Sequence, residues 1–120
     1  MNKPLIVVNF KTYESAMGDS ALSLAKAMDN FTDRDFRMIA VVSAFDLSTI
    51  SNSVSGVEVW SQHLDPVGKG SHTGWLEPDL ALHHGAVGTI INHAEHKVSL
   101  DHVQNLICLL YTSDAADDRM

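Results

Sequence analysis

Four short apolar runs, each followed by a segment with helical periodicity, constrain the fold of this chain more than any other feature. The runs predict β-strands over residues 4–10, 37–42, 57–62 and 87–91, and the first contains a continuous apolar stretch from Leu5 to Val8. Such stretches are typical of strands that are buried on both faces of a sheet. Alternating strands and helices indicate parallel strands joined by right-handed crossovers. The sequence therefore predicts an α/β fold with four βα units.

Polar residues mark where the intervening helices should begin. The predicted starting positions are, in chain order, Asp19, Asp46, Glu77 and Ser99. Aspartate and serine side chains accept hydrogen bonds from the free N–H groups of a first helical turn, and the proline after Glu77 is tolerated there because it lacks such a group. The first helix is predicted over residues 20–28 with one apolar face, and Gly85 is predicted to end the third. In the fourth helix, Cys108 is predicted to be a small core residue.

Two α/β architectures are compatible with this order of elements. A doubly wound dinucleotide-binding domain requires a glycine-rich turn after its first strand, but no glycine precedes Gly18 here. Polar residues instead follow the carboxyl ends of three strands, as the pairs Asn9 and Lys11, Gln62 and His63, and Asn92 and His93. That rim is where a (β/α)8 barrel builds its active site, and a full barrel needs about 250 residues. A chain of 120 residues is therefore predicted to form half of such a barrel.

The charge of the chain excludes several classes of partner. Its 8 lysines and arginines face 15 aspartates and glutamates, which gives a net charge of −7. Nucleic acids and anionic membranes both require a clustered basic surface, so neither is a predicted partner. No apolar stretch approaches the roughly 20 residues that cross a bilayer. The single cysteine cannot form an internal disulfide, and a cytoplasmic location is the expectation.

Four residues at the predicted rim could carry chemistry. Asn9 and Lys11 are two residues apart at a strand end and should point to the same side, where the lysine could hold an anionic substrate. His93 could donate a hydrogen bond to a substrate carbonyl or transfer protons. Glu95 could pair with Lys11 across the rim. The residues alone are equally compatible with a solvated lysine, a structural histidine and an exposed glutamate.

The seven histidines raise the question of a metal site. The residues considered are His93, Glu95 and His96, and the adjacent pair His83 and His84. The helical H-E-x-x-H pattern and the Cys-x-x-Cys pattern are both absent from the sequence. Neighbouring residues of a helix point about 100° apart, which suits joint ligation poorly. No metal ligand is predicted.

Four segments, in this order, resemble the triosephosphate isomerase family. They are VVNFK at residues 7–11, SQHLDP at 61–66, GSHTG at 70–74 and GAVGTIINH at 85–93. The resemblance spans roughly residues 4–107 and is greatest to the archaeal-type enzyme. It implies the first four βα units of a (β/α)8 barrel and an isomerase that interconverts dihydroxyacetone phosphate and glyceraldehyde 3-phosphate without a cofactor. Glycolysis and gluconeogenesis are the implied pathways.

The resemblance also implies roles for individual residues. Asn9 and Lys11 match the substrate-binding pair, and the lysine would offset the negative charge of an enediolate. His93 matches a neutral imidazole that polarises the substrate carbonyl, for which this family is itself the standard example. Glu95 matches a glutamate beside the lysine, and Thr73 matches a residue that reaches the active site of a neighbouring subunit in a dimer or tetramer. Position 94 departs from the family, with alanine in place of the usual serine.

The resemblance places the remaining catalytic parts outside this sequence. The glutamate base, the closing loop and the phosphate-binding glycines belong to the second half of the family's barrel. Residues 1–108 are therefore interpreted as the N-terminal half and residues 109–120 as a tail outside the family pattern, as expected of a truncated gene. We expect the chain alone to be inactive, with unpaired edges on its first and fourth strands. The alternative is a non-catalytic half-barrel that self-associates or binds a partner, and the gene sequence beyond Ile107 would discriminate the two.

Overall fold

A three-stranded parallel sheet forms the centre of the molecule. The computed structural model describes residues 3–32 and 35–118, with side chains described as far as Thr112. The strands are β1 (Leu5–Asn9), β2 (Arg37–Val42) and β3 (Val57–Ser61), and they lie in the order β1-β2-β3. Both pairings are parallel, and in β2 Ile39 faces Val7 on one side and Glu58 on the other. The prediction of parallel strands in chain order is confirmed for these three.

In the described part of the chain four α-helices accompany the sheet: α1 (Gly18–Asp29), α2 (Leu47–Ser51), α3 (Pro78–His83) and α4 (Leu100–Asp118). A 3-10 turn, Glu14–Ala16, precedes α1. The predicted boundary between residues 108 and 109 falls inside α4, and where the family pattern ends stays a prediction. No helix in the described ranges is long and apolar enough to cross a membrane.

One apolar core lies between the sheet and the first helices. The apolar face of α1 is confirmed, because Ala21 and Ala25 are fully buried and Met28 is nearly so. β2 is the central strand, and its last four residues are all buried, as a strand with neighbours on both sides requires. The buried residues of the core cluster are Phe10, Ala16, Ala21, Ala25, Met28, Ala40, Val42, Leu47, Ile50, Val57, Val59 and Ala86.

The first strand differs from its predicted environment. Leu5, Ile6 and Val7 were expected to be buried on both faces, but they are 50, 43 and 48% exposed. Within the described residues β1 pairs with β2 alone, so the unpaired edge expected of the first strand is present and leaves these side chains partly uncovered. An apolar run indicates a strand that favours burial, but the number of strands that flank it determines how much of it is buried.

The predicted fourth strand, residues 87–91, is reduced to a single parallel bridge between Ser61 and Thr89. Three backbone hydrogen bonds still attach the segment to β3, from Val87 N to Val59 O, from Ser61 N to Gly88 O and from Ile90 N to Ser61 O, each 3.0 Å long. The Thr89 hydroxyl donates a second hydrogen bond to Ser61 O at 3.1 Å. The segment lies beside β3 as far as Ile90 but does not form a regular strand, and Val87 is 62% exposed.

Two predicted helix caps are wrong in detail. The first helix begins at Gly18, so that Asp19 lies inside its first turn and does not cap it. Asp46 is the N-cap residue of α2 by position, but its side chain makes no capping bond there. Its carboxylate instead accepts a hydrogen bond of 3.1 Å from Gly18 N. Asp46 therefore satisfies the N-terminus of α1, a contact that the local sequence around either residue does not contain.

The other two helix starts are confirmed. Glu77 caps α3 by accepting from Leu80 N and Asp79 N, and the Ser99 hydroxyl accepts from His102 N at 3.1 Å. Gly85 follows α3 with a φ of +102°, in the region that favours glycine. Cys108, however, is exposed and is not a core residue. Among the described side chains of α4, Leu106 is the buried one, and Leu109 and Leu110 are half-buried.

Candidate active site

The loop after β1 holds Lys11 in a left-handed backbone conformation, with a φ of +52°. Two side chains satisfy the backbone polar groups of this residue. The Asn9 side-chain oxygen accepts from Lys11 N at 2.9 Å, and the Gln62 side-chain amide donates to Lys11 O at 2.8 Å. Because Asn9 ends β1 and Gln62 follows β3, two strands of the sheet fix the position of the lysine.

The Lys11 ammonium has one aromatic and one acidic neighbour. Its Nζ donates a long hydrogen bond of 3.5 Å to the Tyr13 hydroxyl and lies 3.6 Å from Glu95 Oε2. These contacts raise the pKa of Lys11 above its usual value, the Tyr13 hydrogen bond contributing more than the charge of Glu95. The ion pair that the sequence predicts between Lys11 and Glu95 is present. It is weak, because the two side chains are 34 and 60% exposed.

His93 follows the bridge segment, and its loop is closed by Asn92. Asn92 has a φ of +63°, and its side-chain oxygen accepts from Val98 N at 3.0 Å. The backbone N–H of Glu95 donates to His93 Nδ1 at 3.0 Å. An accepting Nδ1 places the proton of the neutral ring on Nε2. Glu95 thus contacts both the lysine, through its carboxylate, and the histidine, through its backbone.

The four residues predicted to carry chemistry open into one cleft of about 1070 Å³. Asn9, Lys11, His93 and Glu95 line it, together with Thr73 from the long loop after β3. Thr73 is exposed and lies in the wall of the cleft of its own chain. Its predicted contact with a neighbouring subunit stays a prediction.

A second polar cluster borders the same cleft and was missed by the sequence analysis. His63 Nε2 donates to Asp65 Oδ1 at 2.8 Å, and His102 Nε2 donates to Leu64 O at 3.2 Å. Burial alone would raise the pKa of Asp65, but hydrogen bonds from Leu76 N and His63 hold it below its usual value. The spacing His63-x-Asp65 was visible in the sequence, whereas the approach of His102 from α4 depends on the fold.

The histidines that the sequence analysis considered as metal ligands form ring contacts with other histidines. The His83 and His84 rings are edge to face, with centroids 5.1 Å apart, at the end of α3. His96 stacks on His63 with ring centroids 3.9 Å apart. Among the residues that the structure describes, the group of three that could hold one ion is His63, Asp65 and His102.

Comparison with known proteins identifies the family. The family model described as triosephosphate isomerase matches residues 4–113. The chain belongs to the triosephosphate isomerase family. The predicted resemblance and the predicted (β/α)8-barrel fold family are thereby confirmed, and the parallel strands of this structure are consistent with part of such a barrel.

Curated relatives carry the same family name. The chain is 38% identical over 101 residues to the triosephosphate isomerase of Archaeoglobus fulgidus, which covers 83% of this chain and 45% of the relative. It is 34% identical to the enzyme of Methanothermus fervidus, over 95% of this chain and 51% of the relative. It is also 34% identical to the triosephosphate isomerase of Metallosphaera sedula, over 89% of this chain and 47% of the relative. The chain spans about half the length of the triosephosphate isomerases it matches.

Proposed function

We propose that this chain provides the substrate-binding and electrophilic residues of a triosephosphate isomerase, which interconverts dihydroxyacetone phosphate and glyceraldehyde 3-phosphate. The observation that carries the proposal is the meeting of Lys11, Glu95 and His93 in one cleft, with Glu95 in contact with both other residues. The relatives that bear the name of this enzyme support the same reaction. No cofactor is needed for it.

In this proposal Lys11 binds the anionic substrate. Asn9 and Gln62 hydrogen-bond its backbone, so the Cα atom from which the lysine side chain extends into the cleft is fixed. The long and exposed contact with Glu95 is easily exchanged for an oxygen of the substrate. The ammonium is charged at neutral pH, and its charge stabilises the enediolate that forms when the substrate loses a proton.

His93 acts as the electrophile. Its Nδ1 is occupied by the Glu95 N–H, so Nε2–H is the group that can donate to a substrate carbonyl oxygen. A neutral donor polarises the carbonyl and then returns a proton to the developing oxyanion, which moves protons between the two substrate oxygens. The carbon proton itself must be removed by a base, which the family resemblance places in the half of the barrel that this chain does not span.

The proposal extends to the environment of the enzyme. We expect a cytoplasmic homo-oligomer, a dimer or tetramer, whose partner is the small triose phosphate and neither a nucleic acid nor a membrane. The net charge of −7 and the exposed loop that carries Thr73 support these expectations.

A chimeric enzyme tests the proposal. It joins this chain, up to Leu106 in α4, to the part of the Archaeoglobus fulgidus relative that this chain does not match. We expect the chimera to convert glyceraldehyde 3-phosphate to dihydroxyacetone phosphate in a coupled assay, and the 120-residue chain alone to show no turnover. A positioned base contributes about 10² to 10⁴ in rate, so its absence should be decisive.

The controls separate the site from the scaffold. His93→Gln in the chimera should lower kcat more than it raises KM, because the imidazole acts on the transition state, whereas His84→Gln on the exposed end of α3 should change neither. A folded chimera without activity, or normal turnover in the His93 variant, would contradict the proposed function.

A further inference from the structure

Three side chains outside the Lys11 site converge on one point beside the cleft. His63 and Asp65 come from the loop after β3, and His102 comes from the first turns of α4. His63 Nε2 lies 2.8 Å and His102 Nε2 3.9 Å from the same atom, Asp65 Oδ1. All three candidate ligand atoms lie within 4.8 Å of one another.

The cluster is protected and its members are oriented. The three side chains are between 12 and 15% exposed, which is far less than Lys11 or Glu95. Asp65 Oδ2 accepts from Leu76 N at 2.8 Å, so the carboxylate presents Oδ1 to the histidines. The His63 ring is stacked on His96. Groups that fix a ligand in this way are a regular part of protein metal sites.

We propose that His63, Asp65 and His102 bind a divalent transition-metal ion, with Zn²⁺ as the preferred ion. Two imidazole nitrogens and one carboxylate oxygen are a zinc ligand set that leaves a fourth position open to solvent. Magnesium and calcium prefer oxygen ligands alone, so the two histidines disfavour them. The proposal does not depend on the isomerase activity, since it uses neither Lys11 nor His93.

The distances are compatible with one ion. Tetrahedral zinc with bonds of about 2.0–2.2 Å holds its ligand atoms roughly 3.4 Å apart. The two imidazole–carboxylate separations of 2.8 and 3.9 Å bracket that value. Each histidine would bind as the neutral tautomer that carries its proton on Nδ1, so that the unprotonated Nε2 faces the ion. The present bonds from Nε2–H to Asp65 Oδ1 and to Leu64 O would be given up, and small rotations of the two imidazole rings would complete the geometry. Because His102 is on α4, the ion would link this helix to the loop after β3.

Metal titration of the complete 120-residue chain tests the proposal. We expect calorimetry to show one Zn²⁺ per chain, and Co²⁺ to give the intense visible absorption of a tetrahedral site. His102→Gln should weaken binding by at least about 100-fold, because loss of a group that merely orients a ligand already costs 10- to 100-fold. His84→Gln, the same substitution at an exposed histidine that follows α3 and lies outside the cluster, is the matched control and should bind as the parent does.

Other outcomes would overturn the proposal. Absence of stoichiometric binding, or unchanged affinity in the His102 variant, would leave the cluster as a hydrogen-bonded network without an ion. If His93→Gln lost Zn²⁺ binding and His102→Gln kept the affinity of the parent, the ion would be assigned to the Lys11 and His93 site and the proposal would be wrong.

A measurement on the unsubstituted chain keeps the proposal testable if His102→Gln does not fold. Zn²⁺ should protect His63 and His102 from acylation by diethyl pyrocarbonate, read by mass spectrometry, while His83 and His84 stay reactive. Equal reactivity of His63 and His102 with and without Zn²⁺ would refute the site. Asp65→Asn retains an acceptor for Leu76 N, and it should reduce the protection.

Discussion

Replacing Gly85 by alanine should destabilise the fold at the turn that leads from α3 towards His93. The position has a φ of +102°, and an added Cβ would lie 1.7 Å from Ser51 Oγ and 2.5 Å from Ser51 Cβ. Rotation about χ1 could move the Ser51 hydroxyl away. It could not move Cβ, which is fixed to the end of α2, so that either α2 or the turn must shift.

Two separate costs determine the magnitude. A left-handed backbone costs an alanine about 1–2 kcal/mol relative to glycine. Forcing additional atoms into an occupied space costs about 1–3 kcal/mol. The free energy of unfolding should therefore fall by roughly 2–5 kcal/mol. In Ser51→Gly/Gly85→Ala the steric cost is relieved and the backbone cost remains, so the two substitutions should couple by about 1–3 kcal/mol.

Urea denaturation of the chimeric enzyme provides the assay. The midpoint of Gly85→Ala should fall with an unchanged m-value, as expected when stability changes and the surface exposed on unfolding does not. Gly68→Ala is the control, because a Cβ there meets nothing within 4 Å and its φ lies outside the left-handed region; it should lie within about 0.5 kcal/mol of the parent. The reasoning is refuted if Gly85→Ala behaves like the control, or if Ser51→Gly fails to relieve it.

Three further predictions concern the site and the state of the chain. In the chimera, Lys11→Met should lower kcat/KM by at least about 10²-fold, as the loss of one charge-stabilising group typically does, while Lys26→Met should not; steady-state kinetics measures both. Sedimentation velocity of the 120-residue chain at micromolar concentration should show species heavier than 13.1 kDa, because Leu5, Ile6 and Val7 are about half exposed on an unpaired edge; a monomer with a cooperative melt would contradict this. Since the pKa of Asp65 is lowered from 3.8 in the folded chain, its contribution to stability is present above that pH and lost as the pH falls through the lowered value. The free energy of unfolding of the chimera should therefore decline less steeply below about pH 4 in Asp65→Asn than in the parent.

Much of the chain could be predicted because the decisive signal is local. The limits of β2, the Glu77 cap of α3 and the Ser99 cap of α4 all follow from residues within a few positions of one another. The pairing of Lys11 with Glu95 was also predicted, because parallel strands bring their carboxyl ends to one rim whatever the details of packing.

The errors occur where distant residues compete with the local pattern. Asp46 has the sequence context of a helix cap, but its carboxylate accepts a hydrogen bond from Gly18 N at the start of α1 instead. Cys108 lies in an apolar run, but α4 contacts the rest of the chain on the side of Leu106. His102 joins His63 and Asp65 only because α4 passes over the loop after β3, which no spacing in the sequence indicates.

If Lys11 has the role proposed above, its left-handed backbone sets the stability of the chain against the binding of the anionic substrate. Glycine is the residue that such a conformation favours, so Lys11→Gly would relieve strain while removing the ammonium from the cleft. Selection for thermostability alone, applied to a library at this position, should therefore enrich glycine and discard function. The Asn9 side chain accepts from Lys11 N and the Gln62 side chain donates to Lys11 O, and these two bonds stabilise the left-handed conformation. Transplanting Lys11 into another scaffold would therefore require both supporting side chains.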